Sequence, residues 1–221
     1  MRTPLPEVRG GRVLTDWVAD TLRQAILDGH FRPGEKIDQE LVANELDVSR
    51  TPVREALKVL ESEAFVEIRP HRGAFISVVT REDIRKVYEV RTLIEAEIVR
   101  RVTPIIPELV LEELEAYLNE VQNAPEDRIK HVDADVFFHE KVSEHTTNEL
   151  LTEILDGLNN RILRVRRFGQ LQPGYHLMRS HREHCAILKA MKQRDPERAA
   201  ELMASHLKRS AERIERAVDA S

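Results

Sequence analysis

Apolar side chains recur every three or four positions in three segments between residues 15 and 63, which is the pattern of amphipathic helices. Asp38 precedes the second segment and Ser49 precedes the third, and both residue types favour the N-cap position of a helix. Only the sequence Leu-Asp-Val at 46–48 separates these two segments. Two short helices joined by so tight a turn predict a helix-turn-helix.

The apolar pattern changes to a period of two after residue 63. Residues 65–68 and 75–78 resemble short strands, and the turn between them contains Pro70 and Gly73. This pattern predicts a β-hairpin, or wing, directly behind the helix-turn-helix. Residues 1–79 are therefore expected to form a winged helix-turn-helix domain that begins with a loose arm of eleven residues.

From Thr80 onward only helical spacing remains. Thr80 and Asp83 form the Thr-x-x-Asp pattern of a capping box, which marks a helix start. Proline or a cap residue separates six helical segments, at about 80–102, 107–122, 126–145, 147–169, 174–193 and 195–218. Short connections favour antiparallel packing. The predicted fold class is mainly α, with an all-α antiparallel six-helix bundle over 80–221 behind the winged helix-turn-helix.

The charge balance restricts where a nucleic acid can bind. The chain has 221 residues, with 34 Lys and Arg against 39 Asp and Glu, and a formal net charge of −5. Residues 1–79 contain 11 Lys and Arg against 13 Asp and Glu, so this region is acidic as well. Any DNA-binding surface must therefore be a local patch and not a basic domain.

Composition also indicates the compartment. No apolar run approaches the roughly 20 residues of a membrane helix, and the N-terminus lacks the continuous apolar segment of a secretory signal. The single Cys185 excludes an internal disulfide and fits a reducing cytosol. We therefore expect a cytoplasmic protein with no membrane partner.

The second helix of the helix-turn-helix carries the candidates for the DNA-binding patch. The N-terminal residues of this helix face the major groove in such motifs. The candidates are Ser49, Arg50, Thr51 and Arg54 in the helix, with Arg72 and Gly73 at the wing tip. Arg50 and Arg54 share a face, and an arginine fork can bind a guanine or a phosphate. The alternative is an ordinary exposed helix whose arginines pair with acidic neighbours.

Titratable residues within apolar stripes of the bundle are candidates for a metal site. Asp135 and His139 lie one turn apart in the third bundle helix, and His184 and His206 lie on the apolar faces of the last two helices. His184 and His206 are about equally far from the turn that joins these helices, so an antiparallel pair brings them level. One carboxylate and three imidazoles fit a divalent transition metal, with His181 as a competing ligand. The alternative is a set of core histidines satisfied by hydrogen bonds.

Arg91 interrupts an otherwise apolar stripe of the first bundle helix. Ile84, Val87, Ile94 and Ile98 complete this stripe. A guanidinium that faces a core needs an anion. Glu95, one turn further, can supply it within the chain, or a bound carboxylate ligand can supply it from outside.

The N-terminal part of the chain resembles a known family. The segment LRQAILDGHFRPGEKIDQELVANELDVSRTPVREALKVLESEAFVEIRPHRGAFI, residues 22–76, is similar to the winged helix-turn-helix domain of the GntR superfamily of bacterial transcription regulators. The resemblance implies that Arg50 and Arg54 contact bases or phosphates and that Gly73 lies at the wing tip against DNA. It also implies a further contact from Gln39, at the start of the preceding helix.

The C-terminal part resembles the FCD ligand-binding domain of the FadR subfamily, in its smaller VanR-like branch. The similarity covers about residues 83–207 and rests on VYEVRTLIEAEI, DVFFHEKVSEHTTNELL and SHREHCAILKAMKQRDPERAAELMASHL. It implies a divalent metal, with zinc first and nickel, manganese or iron as alternatives. The implied ligands are Asp135, His139, His184 and His206. It further implies a small organic acid against the metal, with Arg91 nearby.

Together these features predict a homodimeric regulator that binds double-stranded operator DNA and responds to a small carboxylate metabolite, with repression as the expected mode. No enzymatic activity is expected. Two alternatives remain open from the residues themselves. One is a metal-dependent hydrolase, because three His and one Asp can leave coordination positions for water. The other is a DNA-binding module whose helical domain only dimerises.

Overall fold

The computed structural model describes residues 11–124, 128–171 and 177–218. The chain divides after Val78 into two compact units. The sequence pattern places this boundary one residue later, and Val79 is buried in the core of the second unit. All but the last residue of the predicted loose arm lies outside the described residues, as do the expected helix starts at 126 and 174.

The N-terminal unit contains the predicted helix-turn-helix and wing. Its elements are α1 (Gly11–Leu27), α2 (Gln39–Glu45), α3 (Arg50–Ser62), β1 (Val66–Arg69) and β2 (Gly73–Ile76). The two strands are antiparallel, with Val66 opposite Ile76 and Arg69 opposite Gly73. The helix α1 begins four residues before Thr15, its expected cap, because nothing between Gly11 and Thr15 breaks a helix.

Two predicted caps of this unit differ in outcome. The Asp38 carboxylate accepts hydrogen bonds from the backbone N–H groups of Glu40 and Leu41, at 3.0 and 3.1 Å, and so caps α2. Ser49 occupies the N-cap position of α3 with extended backbone, but its side chain accepts no capping hydrogen bond. The first N–H groups of α3 therefore have no side-chain cap. Uncapped N–H groups at the start of a helix are available to bind an anion such as a phosphate.

Left-handed backbone occurs before the first strand of the wing and again at the turn between its strands. Ala64, between α3 and β1, has φ of +66°, a conformation that costs a non-glycine residue about 1–2 kcal/mol. Gly73, at the start of β2, has φ of +102°, and an added Cβ would lie 3.2 Å from Lys36 Cε. Glycine at this position therefore permits the left-handed backbone of the wing turn, whereas the exposed Lys36 side chain can move aside.

The C-terminal unit is the predicted all-α bundle. Its helices are α4 (Arg81–Val102), α5 (Glu108–Gln122), α6 (Arg128–Ser143), α7 (Glu149–Leu171), α8 (Leu177–Lys192) and α9 (Pro196–Val218). The capping box at Thr80 and Asp83 is present in both directions. The predicted fold class, a winged helix-turn-helix followed by a helical bundle, is confirmed. In the described ranges, no helix is both long enough and apolar enough to span a membrane.

Close packing of α7 against α9 depends on a glycine. A Cβ added at Gly169 would lie 2.6 Å from Cγ1 of Ile214, whose side chain is fully buried. This contact is too short for any real side chain, and Cγ1 lies too near the backbone to move aside. By contrast, a Cβ added at Gly157, on the same helix, meets open space.

We expect Gly169→Ala to lower the free energy of unfolding by about 1–3 kcal/mol, because the extra methyl overpacks the α7–α9 contact. Urea unfolding followed by circular dichroism measures this. The matched control is Gly157→Ala, which should raise stability by about 0.5–1 kcal/mol, since alanine favours a helix and meets no neighbour. Ile214→Ala removes the three atoms nearest to the new methyl, so the double variant should be less destabilised than the sum. Equal stabilities of the two alanine variants would contradict this packing.

Candidate metal centre and nucleic-acid interface

The exposed side of α3 carries the sequence-predicted residues of the DNA-binding patch. Ser49, Arg50, Thr51 and Arg54 are all exposed, whereas the other side of the helix is buried. The Arg50 Nη1 lies 4.0 Å from Glu40 Oε2, at the outer limit of an ion pair. Within the described part of the chain, Arg54 forms no ion pair. Both guanidiniums therefore remain accessible, and the alternative of arginines neutralised by neighbours has little support.

The wing adds basic groups beside the same helix-turn-helix fold. Arg72 is exposed at the wing turn, and Gln39 is the first residue of α2. Lys36, which the sequence interpretation missed, pairs through its backbone with Phe75, and its Cε lies close to Gly73. The backbone bridge to Phe75 places Lys36 beside the wing. The two residues are far apart in the sequence, so no local pattern predicts this pairing.

Four side chains from three helices converge in the core of the C-terminal unit. They are Asp135 and His139 of α6, His184 of α8 and His206 of α9, and one ligand atom from each lies within 4.8 Å of the others. The His184 Nε2 lies 3.2 Å from the His206 Nε2 and 3.5 Å from the Asp135 Oδ1. The three imidazoles are 2–6% exposed. The structure thus brings together all four predicted ligands.

Carboxylates outside this group orient two of the imidazoles. Glu95 Oε2 lies 2.5 Å from the Nδ1 of His139, and Glu183 Oε2 lies 2.8 Å from the Nδ1 of His206. In each ring the Nε2 is thereby left to face the centre of the group. The buried Nε2 of His139 has no hydrogen-bond partner in the described residues. Carboxylate contacts of this kind typically surround metal-ligating histidines.

Two residues that sequence reasoning missed also hold Asp135. Arg166 Nε, on α7, lies 3.0 Å from Asp135 Oδ2, and the Ser180 hydroxyl donates to Oδ1 at 3.2 Å. Arg166 could not be identified from the sequence, because it lies on α7 and contacts a residue of another helix. The basic residue compensates one carboxylate charge in an environment where an unpaired ion is costly.

The donor types fit a divalent transition metal, and so does the spacing of one pair of ligand atoms. Two nitrogen ligands of a tetrahedral ion with bonds of about 2.0–2.1 Å lie about 3.3 Å apart, close to the observed separation of the His184 and His206 nitrogens. One carboxylate and three imidazoles match the preference of zinc and of its neighbours in the transition series. Four protein ligands also leave positions open in an ion that prefers five or six.

His181, the expected competing ligand, does not join this group. Its Nε2 lies 3.6 Å from the Sγ of Cys185, and its ring packs edge-on against His131 with centroids 6.2 Å apart. His181 lies one turn from His184 on α8, as the spacing predicts, but its ring contacts Cys185 and His131 and not the four candidate ligands. Spacing alone cannot separate positions three residues apart on one helix.

A cavity of about 310 Å³ opens beside the candidate metal ligands. Its inner wall contains His139, Arg166, and the ion pair of Arg91 with Glu95, in which the Arg91 Nε donates to Oε1 at 2.6 Å. The internal carboxylate is thus the observed partner of Arg91, which was one of its two predicted partners. Arg91 is 2% exposed and still lines the cavity.

Electrostatics favour the ionised forms of Glu95 and Asp135 and the neutral forms of His139 and His184. Burial alone would raise the pKa of Glu95, but Arg91 and His139 together hold it well below its usual range. Arg166 and the imidazoles outweigh burial in the same way at Asp135 and lower its pKa. Burial, reinforced by His206, lowers the pKa of His184 well below its ordinary value. A neutral imidazole and an ionised carboxylate are the forms that bind metals.

Two family profiles match the chain. The FCD domain matches residues 86–209, and the family described as bacterial regulatory proteins, gntR family, matches residues 14–76. The first match contains all four candidate metal ligands, and the second contains α2, α3 and the wing.

Individual relatives support both matches. The chain is 27% identical to the HTH-type transcriptional repressor RspR of Escherichia coli over 197 residues, which cover 87% of this chain and 85% of RspR. It is 35% identical to the gluconate operon transcriptional repressor of Bacillus subtilis over 130 residues, 59% of this chain and 51% of that protein. Among solved structures, a GntR-type transcriptional regulator of Rhodococcus sp. RHA1 has a TM-score of 0.75 and 27% identity, covering 90% of this chain and 96% of that one.

We expect acid to destabilise the metal-free protein through its buried imidazoles. Their pKa values in the folded state are lowered, whereas the unfolded chain titrates near 6.5. Below that pH the unfolded state binds protons that the folded state does not bind. The free energy of unfolding is therefore highest above pH 6.5 and decreases as the pH falls. The expected slope is about 1 kcal/mol per pH unit for each such histidine.

Urea unfolding of chelator-treated protein between pH 7.5 and 5 measures this slope. His184→Gln and His139→Asn should each flatten it, because each removes one buried titrating group. His30→Gln, at an exposed site, serves as the control and should leave the slope unchanged. Parallel slopes for wild type and both core variants would refute the assignment.

Proposed function

The chain belongs to the FCD domain family, with a gntR-type DNA-binding domain in front, and from this premise we propose a ligand-responsive repressor that binds operator DNA as a homodimer. The single observation that carries the proposal is the combination of two exposed arginines at the start of α3 with a buried Asp-His₃ group beside a cavity. The first suits DNA and the second suits a metal-assisted sensor. Such a protein acts in the cytoplasm, where bacterial operators lie.

The protein is a DNA-binding transcriptional regulator and not an enzyme. The gntR family is described as bacterial regulatory proteins, and the named relatives are regulators of transcription. The alternative of a metal-dependent hydrolase is therefore wrong. Repression, as the finer part of the proposal, is supported by the names of RspR and of the gluconate operon repressor.

For DNA recognition we assign base or phosphate contacts to Arg50 and Arg54. Their guanidiniums are exposed on one face of α3, at the end that enters the major groove in helix-turn-helix proteins. Gln39, Ser49 and Thr51 would contribute further contacts, and Arg72 with Gly73 would meet the backbone from the wing. A two-fold dimer then places two copies of α3 on two half-sites.

For sensing we assign Asp135, His139, His184 and His206 as ligands of one divalent metal, with zinc as the first candidate. FCD domains often bind metal, and the fourfold convergence of ligand atoms supports the same role here. A bound ion would supply a Lewis acid that attracts the carboxylate of an organic acid in the cavity. The gluconate operon repressor is named for a sugar acid, which fits this class of effector.

The charges around the cavity narrow the class of acid. Arg91 and Arg166 already pair with Glu95 and Asp135, respectively. Three exposed carboxylates, Glu140, Glu144 and Asp156, also line the cavity, and among the described residues only Glu144 has a nearby cation, the Lys141 Nζ at 3.8 Å. Uncharged residues also line it: Ser143, Thr152, Leu155, Asn159 and Ile162. A second carboxylate on the effector would meet the three like charges. We therefore expect a monocarboxylate whose far end is neutral, hydroxylated or cationic.

Effector binding releases DNA only if the effector prefers the DNA-free arrangement of the dimer. The ratio of its affinities for the two arrangements sets the extent of the shift, and DNA weakens effector binding by the same factor. The alternative that the bundle only dimerises predicts no such linkage. It remains the competing hypothesis for the C-terminal unit.

Arg50→Ala and Arg54→Ala should each weaken operator binding by about 1–3 kcal/mol if the side chains read bases. If one contacts only phosphate, its removal should weaken all sequences alike and reduce the salt dependence of binding by about one phosphate contact. Fluorescence anisotropy with a fragment of the promoter region of the gene itself, at several salt concentrations, distinguishes these cases.

The control variant for DNA binding is Arg198→Ala. Arg198 is exposed on α9 and pairs with Glu201, so its loss changes the net charge equally without touching α3. Unchanged operator affinity in both α3 variants would exclude them from the interface.

Purified protein should contain about one transition-metal ion per chain, and His184→Ala should lose most of it. In a thermal-shift screen, monocarboxylates should stabilise the metal-loaded protein, and neither chelator-treated protein nor His184→Ala should respond. Elemental analysis and the melting temperature report the two outcomes. Full acid response without metal would refute the proposed centre, and loss of metal without any acid response in wild type would favour a purely structural bundle.

Two controls sharpen the acid screen. His30→Ala, at an exposed histidine, should keep both metal and response. The triple change Glu140→Gln, Glu144→Gln and Asp156→Asn should admit dicarboxylates, whereas the same kind of change at Glu112, Glu120 and Glu201, outside the cavity, should not.

A further inference from the structure

A second cavity, of about 600 Å³, lies between α8 and α9 and is separate from the candidate effector cavity. On α8 the cavity is lined by residues three or four positions apart, which share one face of the helix: Arg179, Arg182, Glu183 and Ala186. Its α9 wall contains Leu202, Arg209, Glu212, Arg213 and Arg216. We call this cavity the arginine groove.

The arginine groove concentrates positive charge on an acidic protein. Five arginines and two glutamates line it, whereas the whole chain has a formal net charge of −5. Glu183 accepts from Arg209 and Arg213, at 3.1–3.3 Å. Arg179, Arg182 and Arg216 form no ion pair within the described ranges. These three arginines therefore add positive charge without an ion-pair partner, which favours the approach of an anion.

The floor of the groove is built and not merely a surface collection of arginines. The Arg213 side chain is 8% exposed, and the Glu183 side chain beneath it is 14% exposed. The Arg213 guanidinium also donates to the Ser210 hydroxyl at 2.6 Å, which fixes its orientation. Arg209 is fixed in the same way by Ser205, at 2.8 Å. A guanidinium fork held in place loses less entropy when it binds an oxyanion.

We propose that the arginine groove binds an anion with two or more phosphoryl groups, such as the diphosphate portion of a nucleotide. Arginine forks from two facing helices match tetrahedral oxyanions, which accept several charge-assisted hydrogen bonds at once. A single phosphate would fill only a small part of the volume. Leu202 and Ala186 add apolar surface for the remainder of a larger ligand.

The groove also contacts the candidate metal centre through Glu183. This carboxylate holds the Nδ1 of His206 with one oxygen and Arg209 with the other. An anion bound to Arg209 and Arg213 would share their positive charge with Glu183, so that Glu183 would become a stronger acceptor for His206. Phosphoanion binding and metal binding are therefore coupled, and the coupling acts equally in both directions. The binding site stands without the proposed sensing function, whereas this coupling rests on it.

Isothermal titration of the full chain with pyrophosphate, at physiological ionic strength, tests the site. The variant Arg179→Gln, Arg182→Gln, Arg216→Gln removes three groove charges without touching Glu183. We expect its dissociation constant to rise about tenfold or more. The matched control is Lys86→Gln, Arg101→Gln, Arg198→Gln, with the same change in charge at exposed positions outside the groove, and its affinity should stay within about twofold of wild type.

The outcomes separate the possible occupants. Pyrophosphate can also remove metal from the protein and so release heat. The groove variant would show the same heat, which distinguishes metal removal from binding in the groove. Equal affinity for citrate would overturn the phosphoryl class. Absence of pyrophosphate binding, together with a loss of operator affinity or of the dimer in the groove variant alone, would show that DNA or a second copy of the chain uses this surface.

Coupling is measured as the pyrophosphate affinity of metal-loaded and metal-free protein, after removal of the chelator. A difference of about threefold or more is expected. Binding that is equal in both forms would overturn the coupling and leave the site intact. A protein that contains no metal at all, yet binds pyrophosphate through the groove, would refute the proposed sensor and not the groove.

Discussion

The contact of Glu95 with both Arg91 and His139 is the interaction on which the C-terminal unit depends. A guanidinium at 2% exposure needs a fixed anion, and the same carboxylate turns His139 so that its Nε2 faces the other imidazoles. A single glutamate thus satisfies a buried cation and sets the direction of a candidate ligand. Removal of its charge would leave an unpaired guanidinium in the core, which is among the costliest defects a fold can contain.

The N-terminal unit solves the opposite problem, because its charges must stay exposed. Arg50 and Arg54 lie near the positive end of the α3 dipole, where a cation is slightly unfavourable. Ser49 does not cap the helix with its side chain, so the first N–H groups add to the same positive field. Both features cost stability in isolation. They are consistent when the partner is a polyanion, whose phosphates face the N–H groups and the guanidiniums together.

Helical spacing predicted much of the candidate site, because side chains one turn apart share a face and antiparallel helices meet level. It brought Asp135 and His139 together and placed His184 opposite His206. It did not predict the roles of Arg166 and Glu183, since α7 supplies the first from across the bundle and the second depends on which ring nitrogen of His206 faces outward. Helical spacing also grouped His181 with His184. Residues three apart lie on the same broad face of a helix, and spacing alone does not show which neighbours each side chain contacts. The helix bounds were predicted where proline or a capping box breaks the chain, and the start of α1 was missed where no such break exists.

The positions of the imidazole nitrogens bear on two alternatives, which are a bound metal and a core of histidines joined only by hydrogen bonds. The facing Nε2 atoms of His184 and His206 can form one hydrogen bond if one ring is protonated there. The Nε2 of His139 is buried and lacks such a partner among the described residues, although a carboxylate holds the opposite nitrogen of the same ring. An isolated hydrogen-bonded core would leave this nitrogen unsatisfied, at a cost of about 1–3 kcal/mol. A divalent ion would accept the three Nε2 lone pairs and the Asp135 oxygen, and would thereby satisfy a nitrogen that a closed network of histidines leaves unpaired.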